Sequence, residues 1–518
     1  MIEPKTLSDT LKEFLPILPE IVVTIWASVI LALDLVIGQN FTRKALGLLS
    51  AGGLLAGLVL ALLLAPATDA PSTIFGGMIR HDLFATAFKI IFFAGGLFTC
   101  LASVDFRATR AGGEYYALVM FSSMAMCLMA ASNDIILLYL ATETASIAQY
   151  LLAGFMRGNK LSAEAGIKYF VFGAVTSTVM LYGLSLLYGM TGATSYAGIA
   201  VQLTNPALHV PVTLAMLMVM VGFAFKTSAV PFHFWAPDVY QGAPTPIAGF
   251  ISTASKAAGF AILMRFLFYI FPPGVQNVAA SMWPTLLLPI ALLTMLLGNL
   301  MAIGQTNVKR MMAYSSIAQA GYLLIGVTAF AVAGQGIVEA GRAEAARAEA
   351  VAAVIFYVAT YMLTNIAAFT VIGLVSQKTG GDDYKHFAGL SRRSPYLALG
   401  MVAAMLSLLG APPMVGFVGK LFLFRSAIGV GAATDGIRYY MLVIVGILGV
   451  LMSCWYYLGV VKAMYVDRSA DDAKQIRIPG ATGFVLTATA IGALVLTAIS
   501  TPFWDIALNA AKSFLIIN

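Results

Sequence analysis

Apolar runs of about 20 residues, the length needed to cross a hydrocarbon core, recur along this chain almost from end to end. They constrain it to a bundle of membrane-spanning helices, because in lipid each backbone amide must find its hydrogen bond within its own segment. Spans are expected near 17–37, 44–65, 81–103, 115–131, 134–155, 164–190, 211–231 and 244–271, then near 283–303, 308–332, 350–376, 396–428, 438–465 and 481–503. Numbered in that order, they describe an all-α polytopic membrane protein of about fourteen spans. At 60% hydrophobic and 10% charged residues, with mean hydropathy +0.90, the 518-residue chain has too little polar surface for a water-soluble globule.

An even count places both termini on one side, and the basic residues decide which. One set of alternate loops holds Arg43, Lys44, Arg107, Arg110, Arg157, Lys160, Lys309, Arg310, Lys378, Lys385, Arg392, Arg393, Arg468, Lys474 and Arg477; the opposite set is much poorer. The positive-inside rule makes the first set cytoplasmic and both termini external. The formal net charge of +7 is thus a topology signal, and nucleic acid is not an expected partner. The N-terminus mixes charges of both signs, without the pattern of a signal or transit peptide.

Two spans are interrupted in a related way. Lys226 is followed by Pro231 and a Pro/Gly-rich stretch, and Gly410, Pro412 and Pro413 precede Lys420. Proline removes a backbone donor, so each reads as a discontinuous helix with exposed backbone groups near a lysine. Five spans separate the interruptions, an odd offset that reverses the direction of crossing. The expected organisation is a three-helix segment over 1–110, two inverted repeats over 111–275 (spans 4 to 8) and 276–467 (spans 9 to 13), and span 14 within 468–518. The alanine-rich stretch 337–349 reads as a solvated helix or an extended end of span 11, and the tail after span 14 is too short for a domain.

Four ionisable residues stand inside the apolar stretches: Glu143, Lys226, Lys256 and Lys420. A charge at membrane depth is costly, and such residues normally face a protein interior and mark an ion or proton route. A buried amine grips its proton less tightly by up to about 3–5 pK units, and a nearby carboxylate restores the grip. At about 4 Å and an effective dielectric near 20, that attraction is roughly 4 kcal/mol. Separating Glu143 from Lys226 would therefore switch the lysine between holding and releasing a proton. Arginine could not do this, since its guanidinium stays protonated. His233, just past the first interruption, titrates in a range suited to relay. Thr142, Thr144, Ser146, Thr227, Ser228, Ser252, Thr253 and Ser255 read mostly as helix-packing residues, with a water wire as the alternative. Lys89, Lys168, Arg265, Arg425 and Lys462 lie nearer span ends, where snorkelling is the expectation.

Other chemistries lack their residues. Cys100, Cys127 and Cys454 are far apart, and His81, His209, His233 and His386 have no metal- or haem-ligand spacing, so no iron–sulfur, zinc or haem site is expected. Gly419 and Lys420 lack the rest of a phosphate loop, and no dinucleotide fingerprint follows a strand. Energy for uphill proton movement must then come from partner subunits.

The run PFHFWAPDVYQGAPTP from Pro231, followed by Lys256 in STASKAAGF, resembles the antiporter-like membrane subunits of proton-pumping NADH:quinone oxidoreductase, respiratory complex I, and its VYQGAP form is similar to their N-type member. KYFVFGAVTSTVMLYGLSLLYG from Lys168, NVKRMMAYSSIAQAGYLLIG from Asn307 and GAPPMVGFVGK from Gly410 extend the resemblance over about 115–465. It implies fourteen helices with inverted repeats and broken helices 7 and 12. It matches Glu143 to the family's helix 5 glutamate, Lys226 to its helix 7 partner, Lys256 to the connecting helix 8 lysine and Lys420 to the helix 12 lysine on the exit side. It also implies proton pumping driven by quinone reduction in other subunits of a bacterial cytoplasmic membrane complex, where flavin, iron–sulfur clusters and quinone would reside. The runner-up is a subunit of a multi-subunit cation/proton antiporter.

Overall fold

The computed structural model describes residues 12–37, 43–68, 70–106, 112–203, 205–272, 278–332, 340–434, 436–468 and 474–516. Among them, fourteen helices are long and apolar enough to cross a membrane. Spans 1 to 6 are Leu18–Ile37, Arg43–Leu63, Leu83–Val104, Gly113–Ala131, Ile135–Ala153 and Lys160–Thr191. Span 7 is His209–Thr227 with a short continuation Trp235–Gly242, and span 8 runs Thr245–Ile270. Spans 9 to 11 are Val278–Ile303, Val308–Val332 and Ala340–Thr379; span 12 is split into Pro395–Leu409 and Val415–Thr434; Ile437–Tyr465 and Gly480–Ala498 complete the set. Capping agrees with local sequence: Asp82, Asp134 and Asn159 accept backbone amides at the starts of spans 3, 5 and 6.

Both interruptions have the same backbone form. Span 7 ends at Ser228, in the left-handed region with φ 58°, and the amide of Ala229 reaches back to the Ala224 carbonyl at 2.8 Å. Span 12 ends its first half at Gly410, φ 85°, and Ala411 reaches back to Leu406 at 3.0 Å. This is the closure by which a helix satisfies its last carbonyls as it stops. A further turn follows in each, Phe232 to Ala229 at 2.8 Å and Met414 to Ala411 at 2.9 Å. The second half of span 12 then passes so close to the first that a Cβ at Gly416 would collide with the Ser407 carbonyl.

Span 8 is buried along its whole length and spans 10 and 11 over most of theirs, whereas spans 1 and 14 are largely unburied. Span 8 is admitted to the centre by small residues. A Cβ at Gly259 would lie 3.0 Å from Thr227 and 3.3 Å from the Lys226 backbone, so glycine lets spans 7 and 8 touch at the first interruption.

A short two-stranded antiparallel hairpin, Ser72–Ile74 with Ile79–His81, joins spans 2 and 3 of the all-α bundle. Residues 340–349 are the extended start of span 11, while 337–339 lie outside the described residues. The tail forms a helix, Ser500–Leu515, packed against spans 3 and 11. Two basic residues expected to snorkel are interior. Lys89 sits 2.7 Å from Glu20 of span 1, both about 4% exposed, and Arg265 is fully buried. Each lies on a helix face covered by other spans, so distance from the span end does not decide its solvation. Lys168 reaches Glu164 at 2.7 Å and Asp238 at 2.6 Å.

Arg265 makes a bidentate contact with Asp82, at 2.9 and 2.8 Å, and Arg80 adds a third bond at 3.1 Å. The C-terminal helix closes over this cluster: Phe514 stacks on Phe84 with centroids 4.4 Å apart, its carbonyl accepts from the Tyr269 hydroxyl at 2.6 Å, and Arg80 donates to the Ile516 carbonyl. Removing one partner of a buried pair strands the other. Asp82→Ala should therefore destabilise the protein by about 3–5 kcal/mol, seen as a lower thermal unfolding midpoint in detergent; an unchanged midpoint would show the cluster is not structural.

Candidate functional site: a polar thread through the bundle

On span 5, Glu143, Ser146 and Gln149 follow one another at i, i+3 and i+6, which sets them along one helix face. Opposite stands Lys226, in the last turn of span 7 before its interruption and 3% exposed. Its ammonium donates to Ser146 Oγ at 3.0 Å and to Gln149 Oε1 at 3.3 Å. Glu143 is half-buried and accepts from Ser177 Oγ of span 6 at 2.6 Å. The two charged residues line one cavity with Ser146, Tyr150, Thr176 and Ser177, of about 10 Å³, close to what a single water needs. They form no ion pair within 4.0 Å. The structure thus brings Glu143 and Lys226 to the same cavity, with serines between them.

Gln149 ties this site to the centre. Its Oε1 also accepts from Ser255 Oγ at 2.8 Å and Tyr169 hydroxyl at 3.1 Å, and its Nε2 donates to Ser122 Oγ at 2.9 Å. Ser255 ends a π-helical turn, Ile251–Ser255, inside span 8, and Lys256 follows it directly. Such wide turns occur often at functional positions. Consecutive helix residues point about 100° apart, and here the two look in different directions: Ser255 toward Gln149 in one half of the bundle, Lys256 toward span 10 in the other. The Lys256 ammonium donates to the Ser316 carbonyl at 2.7 Å and is 3% exposed.

A comparable polar cluster lies around spans 10 to 13. Gln319 of span 10 accepts at Oε1 from the Tyr357 hydroxyl of span 11, as Gln149 of span 5 does from Tyr169 of span 6. Its Nε2 donates to Tyr457 hydroxyl at 3.2 Å and to the Leu408 carbonyl at 3.0 Å, and Tyr457 is 2.5 Å from Ser315 Oγ. That carbonyl also receives Lys420, whose ammonium lies 2.8 Å from Leu408 O and 3.0 Å from Leu409 O, with the Tyr322 ring centroid at 4.5 Å. The interruption at Gly410 leaves these carbonyls without the amides a continuing helix would supply, and the lysine satisfies them. A cation over an aromatic face adds modest attraction.

His233 is buried, its ring 4.3 Å from that of Phe234, and its Nδ1 has no hydrogen-bond partner. No hydrogen bond joins it to the lysines. Asp238, in the continuation of span 7, pairs with Lys168 at 2.6 Å and Arg310 at 2.5 Å.

Sequence reading missed Gln149, Gln319, Tyr169, Tyr357 and Tyr457. Only Gln149 carried a positional signal, its spacing from Glu143; the others show their role through partners on different spans. Among the described residues no group of three or more His, Cys, Asp or Glu side chains is placed to hold a metal.

Comparison with known proteins gives the family. Residues 132–453 match the family described as NADH:quinone oxidoreductase/Mrp antiporter, TM. NADH-quinone oxidoreductase subunit N of Moorella thermoacetica is 39% identical over 487 residues, covering 94% of this chain and 95% of that protein. Subunit N 2 of Sorangium cellulosum is 36% identical, covering 97% and 98%. A chain of respiratory complex I from Thermus thermophilus superposes with TM-score 0.74 at 28% identity, covering 94% of this chain and 99% of that one. A chain of the Mrp complex from Dietzia sp. superposes at 0.77 with 21% identity, over 95% and 97%, a likeness of fold. The chain belongs to the NADH:quinone oxidoreductase/Mrp antiporter family of membrane subunits and is a homologue of subunit N.

Proposed function

We propose that this chain translocates protons across the membrane as a subunit of H+-translocating NADH:quinone oxidoreductase, along the thread Glu143, Lys226, Lys256 and Lys420. One observation carries the residue assignment: all three lysines are 3% exposed and bond only to neutral groups, namely Ser146 and Gln149, the Ser316 carbonyl, and the carbonyls of Leu408 and Leu409. An ammonium with no carboxylate within hydrogen-bonding distance in a low-dielectric interior is incompletely compensated, which favours handing its proton onward when the local field changes. Ser177 and Ser146 hold Glu143 and Lys226 short of contact, the state from which their approach would act as the switch. The unpartnered Nδ1 of His233 is a place where a water joins the thread from the side.

The matched interruptions and the paired Gln–Tyr contacts support two inverted repeats, 111–275 and 276–467, framed by 1–110 and 468–518. We assign the chain to a bacterial inner membrane with both termini external, beside neighbouring antiporter-like membrane-arm subunits, and assign flavin, iron–sulfur clusters and quinone to partner subunits. The likeness to the Mrp chain sustains a second reading, a cation/proton antiporter subunit; co-purification with a cofactor-free antiporter complex would establish it.

Lys226→Ala in the assembled complex should lower proton pumping by about tenfold or more, read as quinone-dependent acidification of inverted vesicles. Lys226→Arg should fail equally, because guanidinium keeps its proton. Full pumping by either assembled variant removes Lys226 from the path. Gln149→Leu breaks the bridge from Lys226 to Ser255 while keeping similar volume. It should slow pumping with assembly intact, whereas wild-type rates would mean that the two lysines communicate without it.

A further inference from the structure

On the face that carries most of the loop arginines and lysines, the ends of spans 11 and 12 and the connection into span 14 enclose a cavity of about 480 Å³ lined by Lys378, Lys385, His386, Arg393, Lys474 and Arg477. Five of these are cations from separate stretches of chain, and among the described residues no carboxylate lines the cavity. Asp383, outside the lining, caps the short helix Tyr384–Phe387, accepts from Asn307 Nδ2 at 3.4 Å and lies 3.9 Å from Lys385. Arg393 is 6% exposed, its carbonyl is held by the Ile476 amide at 3.0 Å, and its Nε has no hydrogen-bond partner. A buried guanidinium with an unused donor, among like charges, is the recognition element for a phosphate.

Three residues beyond Arg393, past the non-helical Ser394, Tyr396 at the start of the next helix lines one end of an apolar groove of about 280 Å³ between spans 11, 12 and 14. Leu363, Ala403 and Ala493 lie along it, and Leu399 and Leu494, 63% and 62% exposed, open it toward the side of the bundle. It reaches Ser407 and Met414 at the interruption of span 12. From these two features we infer that this chain binds an anionic phospholipid of the surrounding bilayer, phosphate in the basic cavity and one acyl chain in the groove. A free anion would use the cavity alone; the apolar groove that begins three residues along the chain from Arg393 and runs along spans 11, 12 and 14 selects the lipid. The acyl chain then lies against the segment whose carbonyls hold Lys420, so occupancy of the site bears on the exit-side lysine.

The test is native mass spectrometry of the delipidated full-length chain titrated with dioleoyl phosphatidylglycerol, dioleoyl phosphatidylcholine or inorganic phosphate, with thermal stability read in parallel. Phosphatidylglycerol should be retained and should raise the unfolding midpoint, and phosphatidylcholine should not. Arg477→Gln with Lys378→Gln, both exposed positions, should weaken phosphatidylglycerol binding at least about tenfold, the loss of one charge-assisted hydrogen bond. Arg393→Gln should do the same where it folds. Leu494→Trp, which fills the groove, should weaken the lipid as well and leave phosphate binding unchanged. Equal binding of the two lipids, indifference of phosphatidylglycerol to the charge variants, or phosphate binding as tightly as lipid would each overturn the inference. So would an assembled complex in which a neighbouring subunit cross-links into the groove from Leu494→Cys and no lipid is retained.

Discussion

Everything in this bundle answers to the difficulty of keeping an ammonium group away from water. In hydrocarbon such a group has no partner, and in a protein interior it needs donors' complements arranged around it before it is tolerable. The fold supplies them by enclosing spans 8 and 10 within the other helices and by stopping two helices in mid-membrane. At the second stop the freed carbonyls of Leu408 and Leu409 become the ligands of Lys420. At the first, the side chains of Ser146 and Gln149 take that part for Lys226. The same interruption thus serves two different solutions.

The buried charges fall into two kinds. Arg265 with Asp82, and Lys89 with Glu20, are closely paired and sit at the edge of the bundle where the hairpin and C-terminal helix gather. Their mutual attraction fixes them, and they suit a structural role. Lys226, Lys256 and Lys420 hydrogen-bond only to neutral groups, with Glu143 lining the cavity of Lys226. Neutral dipoles stabilise a cation less than a contacting carboxylate does, and this is the basis of the role proposed for these three. Glu143, half-buried and held by Ser177, is the acid that shares the first lysine's cavity.

Span 8 joins the halves through two neighbouring residues. Ser255 belongs to the Gln149 network and Lys256 to that of span 10, so a change of pitch in the π turn before them would alter both contacts together. The basic cavity lies apart from this line, while the apolar groove reaches Ser407 and Met414 at the span 12 interruption.

Much of this was legible in the residues. Runs of apolar length specified the spans, proline and glycine marked both interruptions, and charged residues in the middle of apolar stretches singled out Glu143, Lys226, Lys256 and Lys420, because these depend on local composition alone. What local composition could not decide was which helix faces meet. Lys89 and Arg265 looked like snorkelling side chains until the packing gave them Glu20 and Asp82, residues far away in the chain. Gln149 and Gln319 are ordinary polar residues in sequence, and their place between the lysines exists only because spans 5, 6, 8, 10, 11 and 13 converge. The sequence by itself determined how many helices cross, where they stop and which charges are stranded, since each follows from the free energy of single segments in lipid. Only the tertiary structure decided how those charges are compensated, because a hydrogen bond between helices depends on positions that no single segment contains.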